Sequence, residues 1–218
     1  MLRLLFSKTG KAVWISHLDT MRLFQRAFKR GGLLLTHTQG FNPRPSVSIA
    51  LPLSVGVESQ CELLDFQLAH QQISCDEVKD RLNDNLVDGI TVLAVYDNGR
   101  KVKELTFLKC QITMEYDDGV PQGAVSEMRS LFDRTSLTVD KKGKNGIVQQ
   151  DIIPLIRHME ITESANVIQL DAIICCQNPS LNPSQITVAI EKYIPHLKPD
   201  FIRYKRIELY DQNEIAFR

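Results

Sequence analysis

The order of periodicities along the first 97 residues constrains the fold of this chain more than any single motif. Residues 2–7 are a short apolar run. Ser16 then opens a helical pattern, with Asp19 three residues on in the capping-box position and Gly31 and Gly32 to close it. Within it Leu18, Met21, Phe24, Ala27 and Phe28 recur at three- and four-residue spacing, the expected buried stripe. Residues 33–35 begin a strand or the approach to one. Val47, Ile49 and Leu51 alternate with Ser46, Ser48 and Ala50, and ELLDFQL (62–68) reads as a further strand. Ser74 opens a second helix, with Glu77 completing a better capping box and Val78, Leu82 and Leu86 as its apolar positions, and residues 90–95 form a last strand. Strand, helix, strand, strand, helix, strand is the split β-α-β pattern of a ferredoxin-like domain.

The polar stretch DNGRKVKE (97–104) reads as a linker. Beyond it the order recurs more loosely: a strand over 106–115, a helix over 124–132, a strand over 137–140 and the turn KKGKNG (141–146) leading into 147–149. Pro154 then marks a short helical piece, 167–176 is a strongly apolar strand, Asn182 opens a helix over 183–193, and a final strand covers 201–209. The expected architecture is α+β, two tandem ferredoxin-like (β-α-β-β-α-β) sandwiches, with domains at 1–97 and 105–218.

With 43% hydrophobic and 24% charged residues in 218, the chain has the composition of a soluble globular protein. Arg3, Lys8 and Lys11 interrupt the N-terminal apolar residues, and no 18 apolar residues stand together, so a cytoplasmic location without membrane contact is expected. Cys61, Cys75, Cys110, Cys175 and Cys176 show no C-x-x-C and no Cys/His spacing of a metal site, which gives no support to a disulfide framework, a metal or a cofactor.

The zero formal net charge hides an asymmetry. Residues 1–60 hold eight Lys/Arg against Asp19 and Glu58, a balance of +6, whereas residues 61–100 hold three against eight acids, a balance of −5. Arg22, Arg26, Lys29 and Arg30 share one face of the first helix, where they serve either as phosphate contacts or as an ordinary solvated face. The stretch GFNPRP (40–45) adds Arg44 between two prolines. Each proline fixes φ and restricts its predecessor, so Asn42 and Arg44 are expected on a stiff, extended rod. Phe41 reads as a plug beneath that loop, with base stacking as the alternative. Lys141, Lys142 and Lys144 read as a solvated hairpin tip.

His17 and Asp19 lie two apart on a helix and so make a poor acid–base dyad; His17 fits a role at the helix entrance. His37 could approach it across a sheet. His70, His158 and His196 form no constellation, and no phosphate-loop, dinucleotide, nucleophile-elbow or zinc-protease motif is present. Glu58, Glu62 and Asp65 form an acidic cluster that is either structural or functional.

One set of residues carries a family resemblance: Ser16-His17-Leu18-Asp19, Arg22, Arg26-Ala27, Gly40-Phe41-Asn42-Pro43 with Pro45, Pro52-Leu53, Gly56, Glu58-Ser59, Glu62 and Asp65. It resembles a bacterial family of unknown function that accompanies radical-SAM proteins, as a separate small protein or as the C-terminal part of the same polypeptide. The resemblance covers about the first third of the chain; beyond it only the length and the Leu181-Asn182-Pro183 helix start match. Arg44 stands where histidine is common in the family, which puts a histidine-dependent role of the loop in doubt. The resemblance implies a partner class and no catalytic residues, with genes near those for ribosomal proteins and RNA processing. Radical-SAM chemistry needs a C-x-x-x-C-x-x-C run, which these five cysteines cannot form, so such chemistry belongs to a partner.

The resulting expectation is a non-enzymatic accessory or substrate-presenting subunit for a radical-SAM enzyme. Arg22, Arg26, Lys29 and Arg30 would meet phosphates of an RNA or ribosome-related ribonucleoprotein, with Phe41, Asn42 and Arg44 on the same recognition face. The alternatives are an RNA-processing or RNA-modifying enzyme using His17 or His37, and a protein-only adaptor.

Overall fold

A computed structural model describes residues 1–69, 72–143 and 146–218, and only the backbone of Lys142. His70, Lys144 and the Lys142 side chain lie outside the described residues. The chain is mixed α+β and divides into two compact units, Met1–Glu104 with Arg218, and Leu105–Phe217.

The first unit runs β1 (Leu2–Lys8), a 3-10 turn (Gly10–Trp14), α1 (His17–Arg30), β2 (Val47–Ile49), β3 (Val57–Phe66), α2 (Cys75–Asn83) and β4 (Ile90–Tyr96). Its strands lie in the order β4-β1-β3-β2, every neighbour antiparallel. Alternation along the strands puts Leu4, Phe6, Leu64, Phe66, Ile90 and Val92 on one face, where Phe24, Ala27 and Phe28 of α1 and Val78 and Leu82 of α2 cover them. Phe6 meets Phe24 edge-on at 4.8 Å and Phe28 meets Phe66 at 4.9 Å. Burying each such ring contributes about 1.5–3 kcal/mol, so these two pairs anchor α1 to the sheet.

On the opposite face Arg3 of β1 and Asp65 of β3 stand directly across from each other and form a two-pronged ion pair, 2.6 Å from Nε to Oδ1 and 3.0 Å from Nη2 to Oδ2. Gly89 allows the chain to enter β4: its φ is +84°, and a Cβ there would stand 2.4 Å from the Thr9 carbonyl oxygen.

Several expectations shift. Residues 33–35 form no strand; only Leu35 bridges Leu68. β3 starts at Val57, five residues before the expected 62. Leu18 is 65% exposed, because six residues at about 100° each place it about 120° round the helix from Phe24. Both serines cap as expected, accepting from the Asp19 and Glu77 amides. The reciprocal half of each capping box is diverted: Asp19 accepts from the Ser16 hydroxyl at 2.8 Å, and Glu77 from Arg81 at 2.5 Å. The stretch read as a linker belongs to the first unit, with a 3-10 turn at Val102–Glu104 and the Arg100 amide donating to the Arg218 carbonyl.

The second unit runs β5 (Leu105–Glu115), α3 (Ala124–Phe132), β6 (Thr138–Gly143), β7 (Gly146–Asp151), β8 (Ile156–Ser164), β9 (Val167–Cys175), α4 (Pro183–Tyr193) and β10 (Phe201–Asp211). The order is β10-β5-β9-β8, again antiparallel, while β6 and β7 pair only with each other. Leaving that hairpin aside, the pairing order matches that of the first unit. The sequence reading took the hairpin strands as part of the repeat and missed β8, which is the true second strand. At the start of α4, Asn182 and Gln185 form a complete capping box.

Candidate functional site

The four cations of α1 do not share one surface role. Arg22, Arg26 and Arg30, one helical turn apart, line an open groove of about 530 Å3 whose apolar wall is Ile15, Leu23 and Val87, with Asn85 from the turn after α2 and Asp19 at one end. Lys29 is exposed but is not part of that lining. Arg22 is tethered, its Nη1 donating to Asp19 at 2.9 Å. The hydrogen bonds from Ser16 and then Arg22 hold the Asp19 carboxyl below its ordinary pKa. Arg26 and Arg30 make no salt bridge among the described residues and offer intact guanidinium forks. Arg30 lies in the last turn of α1, where the helix dipole favours positive charge. The arrangement can hold a chain of anionic groups along about 12 Å of helix, the span of eight residues.

GFNPRP forms the tip of a closed loop rather than an extended rod. At its neck the Thr38 amide donates to the Arg44 carbonyl at 2.8 Å, the Arg44 amide returns to Thr38 Oγ1 at 3.0 Å, and His37 bridges Pro45. Phe41 is fully exposed and plugs nothing: it stands at the loop tip between Gly40, at φ +138°, and the exposed Asn42. Asn42 and Arg44 are exposed beside it. None of these tip residues lines the arginine groove.

His17 shares a cavity of about 10 Å3 with Lys8, Thr20 and Glu62. That is room for about one water molecule and none for a nucleotide. Lys8 is buried because its Nζ donates to the Ile15 carbonyl at 2.6 Å and the Val13 carbonyl at 3.3 Å, tying the 3-10 turn to β1. His37 does not join His17. His17 lies by Ile49, whereas His37 bridges Pro45, four residues back along the chain and roughly 13 Å away at strand rise. The acidic cluster also separates: Asp65 pairs with Arg3, Glu62 is buried on the opposite face of β3 across from Phe6, and Glu58 is half-buried near the start of the strand.

Sequence reasoning passed over Trp14, the single tryptophan of the chain, which is 70% exposed. Its ring lies against Gly56, whose missing Cβ would stand 3.5 Å from Trp14 Cζ3. Helical spacing gave no signal for it, because the extended residues Ile15 and Ser16 separate Trp14 from α1. Among the described residues no group of three His, Cys, Asp or Glu side chains is placed to hold a metal ion. Burial pushes the Cys110 and Cys176 thiols up to about 12.

Fold and surface thus define an α+β chain with a cationic helix-side groove and a separately stapled aromatic loop tip. The chain belongs to the family described as "Uncharacterized protein conserved in bacteria (DUF2344)", whose model matches residues 1–183. No curated protein matches it. Among solved structures it is similar to a chain of a Cbf5-Nop10-Gar1 complex, at 8% identity and a TM-score of 0.52, over 95% of this chain and 48% of that one. This chain therefore spans about half the length of that relative, and the likeness is one of fold. It is also similar to an unknown protein from Galdieria sulphuraria, at 8% identity over 94% of this chain and 96% of the other, with a TM-score of 0.27. No helix among the described residues is long and apolar enough to cross a membrane.

Proposed function

We propose that the chain is a non-enzymatic accessory subunit of two tandem ferredoxin-like sandwiches. In this reading it acts in the cytoplasm and presents an RNA or ribonucleoprotein to a radical-SAM enzyme. The observation that carries the RNA part is the stripe of Arg22, Arg26 and Arg30 along an open groove, two of the three free of salt bridges among the described residues. Three forked donors in a row suit a run of phosphates better than one isolated carboxylate. The fold reading is supported by the shared antiparallel strand order of the two units. The one-water cavity beside His17 favours a binding role over acid–base chemistry there.

The enzyme partner follows from the family resemblance, and the loop tip is assigned to it. A fully exposed phenylalanine and an exposed arginine three residues on, in a loop closed at its neck, make a preset contact that loses little freedom on docking. A tagged pull-down from native bacterial lysate, with crosslinked RNA sequenced and proteins identified in one eluate, tests both parts. Recovery of a defined RNA together with a protein carrying a C-x-x-x-C-x-x-C cluster motif is expected. The Arg22→Gln/Arg26→Gln/Arg30→Gln variant should lose the RNA, and Phe41→Ala/Arg44→Ala the enzyme. Recovery of the enzyme without RNA would leave a protein-only adaptor, and recovery of cleaved RNA by the pure protein would make it an enzyme.

A further inference from the structure

Along α1 the exposed Leu18, Arg22, Arg26 and Arg30 recur at every fourth residue, beside the exposed Asp19 and Lys29, and the exposed Trp14 lies just upstream across the extended residues Ile15 and Ser16. The three arginines lie in the groove, Leu18 precedes Arg22 by one turn, and Trp14 stands in the 3-10 turn one residue before Ile15, where the groove lining begins. At 1.5 Å per residue the steps from Leu18 to Arg30 climb about 6 Å each, about the reach of one nucleotide of an extended strand. The row is therefore cationic from Arg22 to Arg30, with Leu18 and the aromatic Trp14 toward its N-terminal end.

Trp14 is exposed without being loose. The edge of its ring that carries Cζ3 and Cη2 rests on Gly56, at φ +84°, and the Gly56 amide donates to the Val13 carbonyl at 2.9 Å, fixing the two segments together. A Cβ at position 56 would meet the indole at van der Waals distance, 3.5 Å from Cζ3, so the backbone there lies close under the ring. Leu18, the first exposed apolar residue of α1, and Val55, next to Gly56 in the chain, are exposed as well. A braced aromatic at the end of a track of cations is the combination that binds single strands. Charges follow the backbone, and the ring stacks on a base that a duplex keeps paired.

We infer that the groove takes single-stranded RNA, with phosphates on Arg22, Arg26 and Arg30 and an unpaired base stacked on Trp14. This rests on the RNA reading above and adds to it the strand state and a specific stacking residue. Because Trp14 is the single tryptophan, tryptophan fluorescence reports on this one position.

The test titrates the full chain at low salt with an oligoadenylate of about eight nucleotides, within the range of single-strand sites. A self-complementary RNA duplex of the same length and inorganic polyphosphate serve as comparisons. The expected result is saturable quenching by the single strand, with weaker binding by the duplex and by polyphosphate. Trp14→Ala should weaken single-strand affinity about tenfold and Trp14→Phe far less. Salt-sensitive RNA binding that Trp14→Ala leaves unchanged, or equal affinity for the duplex, would overturn this inference and leave the RNA reading standing. Absence of any RNA binding would overturn both.

Discussion

Replacing Asp65 by asparagine keeps the shape of the side chain and removes its charge, which isolates the role of the ion pair beneath the first unit's sheet. Arg3 is 3% and Asp65 13% exposed, and both prongs are of hydrogen-bond length. Burial works against the Arg3 charge, but hydrogen bonding and attraction from Asp65 outweigh it and raise its pKa above the ordinary value. In Asp65→Asn the guanidinium stays buried against a neutral amide. Two charge-assisted hydrogen bonds are weakened at about 1.5–3 kcal/mol each, and stripping one partner from a buried pair costs about 3–5 kcal/mol. We therefore expect a loss of about 4 kcal/mol, which at an m of about 2 kcal/mol/M moves the urea midpoint of the first unit down by about 2 M. Far-ultraviolet circular dichroism and Trp14 emission both report the transition. Replacing both partners by leucine should recover most of the loss, since an apolar pair leaves no buried charge. A single variant within about 1 kcal/mol of wild type, or a double variant less stable than the single, would refute this reasoning.

Gly89→Ala should lose at least about 3 kcal/mol or fail to accumulate, since its Cβ would meet Thr9 O at 2.4 Å and Ala12 Cβ at 2.9 Å at a φ of +84°; a melting temperature equal to wild type would contradict this. Asp19 has a folded pKa below its ordinary 3.8, so its stabilisation of α1 is complete above that value and is lost as pH falls through the folded pKa. Thermal melts of wild type and Asp19→Asn should therefore differ by a constant amount near neutral pH and converge below pH 3.8. Thr38→Val removes the side-chain acceptor of the Arg44 amide, and hydrogen exchange at that amide should speed up about fivefold, for about 1 kcal/mol of lost closure.

Helix starts and fully buried strands were legible in the sequence because each carries a local signal. Ser16, Ser74 and Asn182 announce their helices through cap chemistry, and the Phe24-Ala27-Phe28 spacing declares the buried side of α1. β8 escaped because it is an edge strand: of Ile156–Ser164 only Ile161 is buried, and a register shift between Ile156 and His158 breaks the alternation. The loop misled because proline fixes single φ angles but not the path of the whole segment, which the Thr38–Arg44 closure decides over six residues. For the site, residue type suggested cations on α1, yet only packing could say that Lys29 leaves the groove and that Asn85 and Val87 join it. Trp14 was passed over because nothing local marks a tryptophan between Val13 and Ile15 as exposed, and its packing partner Gly56 lies 42 positions away in sequence.

The most direct measurement is the affinity of the full chain for a single-stranded oligoadenylate as a function of salt, for wild type and for Arg22→Gln/Arg26→Gln/Arg30→Gln. Three neutralised phosphates on a single strand predict a slope of log Kobs against log salt of about −2, collapsing toward zero in the triple variant with the fold retained. A wild-type slope near zero, or a slope and affinity that survive in the triple variant, would contradict the claim that this groove binds RNA.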